Sequence, residues 1–264
     1  MSRAELRSEV ADVAALTPPL VERLFALHAA SYEGVDVARF RADLAEKQWV
    51  ILLREPAGEV VGFSTQRTLD VCVGGRAVRA LFSGDTIVHP DFWGEQALVR
   101  AWCRLAGRVK AEAAGRLVYW FLISKGHRTY LYLPTFFRDF YPRFERPTPA
   151  FEAELIRVLG SSRYGDEFDE ATGTVVPRAS DRLRGELDAA PRRLSNPHVA
   201  FFCERNPDYA AGHELVCVAA IEPANMRRLA QRELLFGMAS ACGADGGAAQ
   251  LACGAASAGG GTPR

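Results

Sequence analysis

The stretch Phe82–Trp102, FSGDTIVHPDFWGEQALVRAW, passes from an apolar run through His89 and Pro90 into a segment of helical spacing. Its reading decides the fold. Leu98, Trp102, Leu105 and Val109 recur on one stripe, which predicts a helix from about Asp91, with Gly94 in its first turn, that packs on a sheet. Gly115 ends the helix, and RLVYWFLIS, Arg116–Ser124, reads as a buried strand. Strand, helix and strand in this order form a right-handed crossover, so Arg79–Val88 and Arg116–Ser124 are expected as parallel neighbours.

Upstream, Thr17–Tyr32 carries Leu20, Leu24, Leu27 and Ala30 on one helical face behind two prolines, and a shorter helix is expected over Val37–Glu46. Trp49–Glu55 and Glu59–Val71 read as strands around a Pro-Ala-Gly turn. Gly74 and Gly75 supply the positive φ that a tight hairpin requires before Arg79–Val88 returns. Downstream, Ser124–Phe144 is rich in aromatics and interrupted by Pro134. Residues 150–195 read as an insertion, with helices at Phe151–Gly160 and around Ser180–Ala190. Asn196–Asn206 and His213–Ile221 are expected as two strands joined by a turn, followed by a helix over Asn225–Met238.

The 264 residues thus read as one α/β domain over 1–238, holding the 150–195 insertion, followed by a Gly/Ala-rich tail, 239–264, expected to be disordered. Acidic and basic residues balance at 32 each, without blocks of one sign, which argues against a nucleic-acid partner. No run of about 18 apolar residues suggests a membrane span, and the opening lacks a secretory apolar core, so a cytoplasmic protein is expected. The six cysteines form no CxxC pair and read as reduced thiols rather than as metal ligands.

Two helices, an antiparallel meander, a helix and a parallel strand, with terminal strands to follow, resemble the GCN5-related N-acetyltransferase superfamily over about Thr17–Phe144. The resemblance implies a mixed sheet with helices on both faces and a cleft where the strand before the central helix splays from the next. It also implies acetyl-CoA or another acyl-CoA as co-substrate, with the pyrophosphate held by backbone amides at the helix start. Unpaired N–H groups and the helix dipole favour an anion there. The family's pattern is Arg or Gln, two residues, Gly, one residue, then Gly or Ala. Here Gly94 falls on its first glycine, whereas Asp91 stands at the Arg/Gln position and Gln96 at the second small residue, with Ala97 beside it. Three readings stay open: an acyl-CoA site using the amides of Gly94, Glu95, Gln96 and Ala97, a site for another acyl carrier, and a non-catalytic binding module of the same fold.

For chemistry, Asp85 within an apolar strand is the leading general base, against a structural pairing with Arg79 or Ser83. His89 is the alternative base, or a turn residue. Tyr130 and Tyr132 fall where the resemblance places a thiolate-protonating tyrosine. Tyr132 also fits the core stripe of Phe136. Ile87 and Val88 end the splaying strand beside the cofactor, and Lys125 and Arg128, just past a strand's carboxyl end, could neutralise its phosphates or a carboxylate of the acceptor, or belong to an ordinary solvated loop. The expected acceptor is an amine of a small molecule. Oligomeric state is left open, a homodimer included.

Overall fold

The structure is a computed structural model that describes residues 5–178, 181–185 and 193–252, with side chains as far as Ala241. Its elements are β1 (Arg7–Asp12), α1 (Pro18–Ser31), β2 (Tyr32–Glu33), α2 (Val37–Ala45), β3 (Trp49–Arg54), β4 (Val60–Val73), β5 (Arg76–Val88), α3 (Ala97–Ala111) and β6 (Leu117–Ser124). They continue through α4 (His127–Tyr130), α5 (Tyr132–Phe136), α6 (Ala150–Tyr164), β7 (Phe168–Asp169), β8 (Thr174–Val175), β9 (Arg182–Leu183), α7 (Pro197–Arg205), β10 (Glu214–Ala220) and α8 (Arg228–Ala252).

Eight strands form one mixed sheet in the order β1-β3-β4-β5-β6-β10-β8-β7, and β2 pairs separately with β9. The hairpin between β4 and β5 turns on Gly74 and Gly75, both at positive φ. β5 and β6 are parallel, Val78–Ser83 beside Leu117–Leu122, as the crossover through α3 requires. α3 and α8 cover one face, where Leu81, Trp102, Trp120, Leu105 and Leu234 share a core. α1 and α2 cover the β3–β4 half of the other face, and α6 its β6–β10 half.

Three expectations are corrected. Asn196–Asn206 is not a strand: the Asn196 side chain accepts from His198 N, Pro197 opens α7, and Val199 and Phe202 are buried. Around Ser180–Ala190 the described residues hold strand β9, paired with Tyr32–Glu33, and not a helix. α3 begins at Ala97, not near Asp91. Pro90–Phe92 is a short 3-10 turn, and Gly94, at φ +95°, precedes the helix instead of lying in its first turn. The last helix, expected over Asn225–Met238, is α8, which runs from Arg228 to Ala252, and residues 253–264 lie outside the described residues. An edge strand not expected from sequence, β1, pairs with β3.

Candidate functional site

The site begins with a bulge in β5. Gln66 pairs with Ser83, but Ser64 pairs with Thr86, so three steps along β5 match two along β4. The extra residue reverses the alternation of the strand. Before it, Val78, Ala80 and Phe82 face the α6 side. After it, Ile87 joins Leu24 and Phe40 beneath α1 and α2, and Asp85 faces the same side. The register between β5 and β6 ends at Ser83 and Leu122, and the last five residues of β5 continue to Val88 without a β6 partner.

Three hollows meet at this parting. A cavity of about 270 Å³ lies between α2 and α6 over Phe82, Gly84, Asp85 and Ile123. A cleft of about 90 Å³ runs between Thr86–Val88 and the turn Lys125–Thr129, closed by Trp93 and Leu183. An apolar recess of about 20 Å³ lies on the α3 side between Trp102, Trp120, Tyr132 and Phe136. Thr86 lines all three, and Lys125 and Thr129 line both of the larger ones.

The large cavity is walled by charge. His28, on the buried stripe of α1, places Nε2 at 2.7 Å from Asp181 and Nδ1 at 3.6 Å from Asp85. Burial opposes its charge, but the hydrogen bond to Asp181 and the proximity of Asp85 raise its pKa to about 9. Burial also works against ionised Asp85, yet His28 overcomes it and holds that carboxyl below the ordinary range. Asp181 further pairs with Arg39. Lys47, its side chain fully buried, pairs with Asp43 and passes over the Phe82 ring. Gly84 permits this, because a Cβ there would stand 2.8 Å from Lys47 Cε. Lys125 Nζ meets Glu214 at 3.0 Å and lies over the Tyr32 ring, and burial raises the Tyr32 pKa to about 12.

Beneath the junction runs a buried hydrogen-bond chain. The indoles of Trp102 and Trp120 both donate to Ser83 Oγ, at 3.2 and 2.8 Å, and Ser83 donates to Gln66 Oε1 at 2.7 Å. Gln66 Nε2 donates to Ser64 Oγ, which meets Thr86 Oγ1 at 2.7 Å. The orientation of the buried Gln66 amide is thereby fixed on both sides, and Thr86 is held at the centre of the three hollows.

The structure brings together Asp85 and Lys125 in the cavity, Val88, Ile87, Lys125 and Arg128 along the cleft, and Tyr132 in the recess. Asp85 partners His28, and Arg79 instead pairs with Asp70. Tyr130 stands apart: fully buried, it donates to the Pro142 carbonyl at 2.9 Å, and burial pushes its pKa up. His89 is an exposed turn residue whose Nδ1 accepts from Asp91 N. Ile87's side chain belongs to the core under α1. Glu95, Gln96 and Ala97 line a separate groove with Leu6, Arg100 and Arg104. Trp93 closes the cleft instead: its Nε1 donates to the Val88 carbonyl at 2.8 Å, and Arg128 lies 3.7 Å above its ring. His28 and Asp181 were not anticipated. His28 follows Leu24 by one helical turn, a spacing that signals burial but not partners.

Among the described residues no group of side chains could hold a metal ion, and no helix is long and apolar enough to cross a membrane. Cys103 and Cys217 are buried free thiols and Cys72 is an exposed one.

No protein-family model matches the chain, and no curated protein matches it. Solved structures do. A conserved Enterococcus faecalis protein of unknown function, described as a probable N-acyltransferase, is 13% identical over 50% of this chain and 33% of its own, with a TM-score of 0.39. A GNAT family N-acetyltransferase of Escherichia coli in complex with CoA is 18% identical over 47% and 67%, TM-score 0.32. An acetyltransferase of Trypanosoma brucei is 21% identical over 55% and 100%, TM-score 0.34. The match thus spans about a third of the Enterococcus protein. By its own strand order, bulged β5 and parted β5–β6 pair, this chain has the mixed-sheet fold of the GCN5-related N-acetyltransferases.

Proposed function

We propose that the protein transfers a short acyl group from acyl-CoA to an amine of a small molecule, with Thr86 at the reacting centre. The observation that carries this reading is the position of Thr86, which lines the cleft, the recess and the charged cavity at once. A thioester in the cleft would meet an amine from the cavity there, with its acyl group in the recess. A recess of about 20 Å³ between two indoles suits an acetyl group and not a long chain.

Transfer needs the amine nitrogen to attack the thioester carbonyl carbon and the carbon–sulfur bond to break; the nitrogen loses a proton and the sulfur gains one. Asp85 is the group for the first proton, ionised beside His28 and facing the cavity. Tyr132 lines the recess beside Thr86, and burial raises its pKa, so it keeps its proton until a thiolate forms. Lys125 and Arg128 border the cleft in which the phosphate-bearing arm would run. Lys125 is already balanced by Glu214, so the open backbone edge of β5 supplies much of the remaining polarity.

The test is calorimetric titration with acetyl-CoA, followed by release of free thiol in the presence of an amine. Affinity of roughly micromolar to millimolar strength and amine-dependent thiol release are expected. The absence of binding at millimolar acetyl-CoA overturns the reading.

A second reading, a non-catalytic module of this fold, is favoured by Trp93. Its hydrogen bond to Val88 and its stacking under Arg128 fill the mouth of the cleft. Trp93→Ala separates the two. CoA binding in the wild type supports catalysis, and binding that appears only in the variant supports the module.

A further inference from the structure

Five cationic side chains line the large cavity, and each has a carboxylate within hydrogen-bond reach. Lys47 is bound to Asp43, Arg39 and His28 to Asp181, Lys125 to Glu214, and Arg163 to Glu46 at 2.6 Å. The carboxylates are not all so matched. Asp85 has its nearest cationic nitrogen at 3.6 Å, beyond hydrogen-bond reach, and His28 Nδ1 on the other side of that gap is buried without a hydrogen-bond partner. Glu167 accepts only from the backbone N of Arg178, at 2.9 Å, and has no ion pair among the described residues. Five carboxylates, Asp43, Asp85, Glu167, Asp181 and Glu214, thus line the cavity with these five cations, and Asp85 and Glu167 are the two not tied to a cation by a hydrogen bond among the described residues.

Each cation of this wall already has a carboxylate, and the donors left buried without a hydrogen-bond partner are Arg163 Nε and His28 Nδ1. The wall offers two acceptors of positive charge, Asp85 at the Thr86 junction and Glu167 at the α6 end. We infer that the acceptor, on the acyltransferase reading above, is an aliphatic diamine: one nitrogen at Asp85, where it reacts, and the other at Glu167, where it anchors. The reacting nitrogen must shed its proton to attack a carbonyl carbon, so one charged nitrogen remains, and Glu167, which has no ion pair among the described residues, is there to meet it. The cavity volume of about 270 Å³ admits an extended chain of several carbons. An α-amino acid would bring a further negative group into a cavity that Asp43 and Asp85 already line.

The test uses the full-length protein without donor, so that binding is read apart from transfer. Calorimetry compares three probes on matched skeletons of four to six carbons: the α,ω-diamine, the monoamine and the ω-amino acid. The diamine is expected to bind at least tenfold more tightly than the monoamine of its length, and the amino acid more weakly than both. Glu167→Gln should remove the advantage of the diamine over the monoamine while leaving the melting temperature and monoamine binding in place. Amino-acid binding as tight as that of the diamine, equal binding of diamine and monoamine, or no binding of any probe overturns the inference. If the diamine binds as expected but is not acylated with acetyl-CoA present, the acyltransferase reading fails and the diamine site stands.

Discussion

His28 Nε2 and Asp181 Oδ2 lie 2.7 Å apart, a contact that ties the buried face of α1 to the segment carrying β9. The same segment is fastened by the β2–β9 pair and by Arg184, whose backbone and side chain donate to the carbonyls of Ser31 and Ala29. A histidine 5% exposed can keep its charge there only because two carboxylates face it.

That arrangement makes stability depend on pH with a definite sign. The folded pKa of His28, about 9, lies above the ordinary 6.5, so its contribution is complete below pH 6.5 and is lost as pH rises through about 9. Asp85 and Asp181 are shifted down from 3.8, so theirs is present above that value and is lost as pH falls through the lowered ones. Stability, and the melting temperature with it, should be flat between about pH 4 and 6.5 and should then decline, stability by an amount on the order of 3 kcal/mol by pH 9.5. Asp181→Asn should lower the plateau and shrink the alkaline decline. Identical alkaline slopes in wild type and variant would show that His28 is not the group responsible.

The contact between α3 and α8 runs through two glycines. A Cβ on Gly107 would stand 2.1 Å from the Leu234 carbonyl oxygen, and one on Gly237 would stand 2.0 Å from that of Arg104. Alanine is the better helix former by about 1 kcal/mol, so Gly→Ala in an uncrowded helix raises stability. Here overpacking should win. Gly107→Ala and Gly237→Ala are each expected to cost about 1–3 kcal/mol, seen as a drop of several degrees in thermal melting. A rise in melting temperature for either would mean that the helices are not in this close contact.

The sheet was legible where residue type and geometry coincide. Gly74-Gly75 could be little but a hairpin, and the stripe from Leu98 to Val109 could only be a helix lying on a sheet, which fixed the parallel β5–β6 pair. Other features rest on choices that one sequence leaves open. Asn196-Pro197 signals a turn and a helix start equally well, and only burial of Val199 and Phe202 decides for the helix. β1, RSEVAD, is an exposed edge with charges on it, so it lacks the alternation of a half-buried strand. At the site, Asp85 and Lys125 could be picked out as charges in or beside apolar strands. Their partners could not, since His28, Asp181 and Glu214 come from distant parts of the chain, and the bulge that turns Asp85 toward them is marked in SGDTIV by Gly84 alone.

Asp85→Asn keeps the shape of the side chain and removes its capacity to take a proton. On the proposed chemistry the rate of thiol release should fall by about 10²–10⁴. Tyr132→Phe should reduce it less, because water can also protonate a thiolate. A loss of under threefold in Asp85→Asn, in protein that still melts cooperatively, would move the base elsewhere.

Ser83 is the most heavily committed hydroxyl at the junction. It accepts from two indoles and donates to Gln66, and it is 1% exposed, with Gln66 fully buried. Ser83→Ala would strand two N–H donors and one amide oxygen where water does not reach. Each unsatisfied buried group costs about 1–3 kcal/mol, and relaxation of neighbours recovers part of it, so a loss of about 2–5 kcal/mol is expected. The damage should also reach Thr86, because Gln66, freed on one side, no longer fixes Ser64 in the rotamer that meets it. Trp102→Phe removes one of the two donors in advance, so Ser83→Ala should cost less in that background than in the wild type. Differential scanning calorimetry of the four proteins in the cycle measures this directly. Strict additivity would show that the two side chains do not share the network, and Thr86 would then owe its position to β-sheet pairing alone.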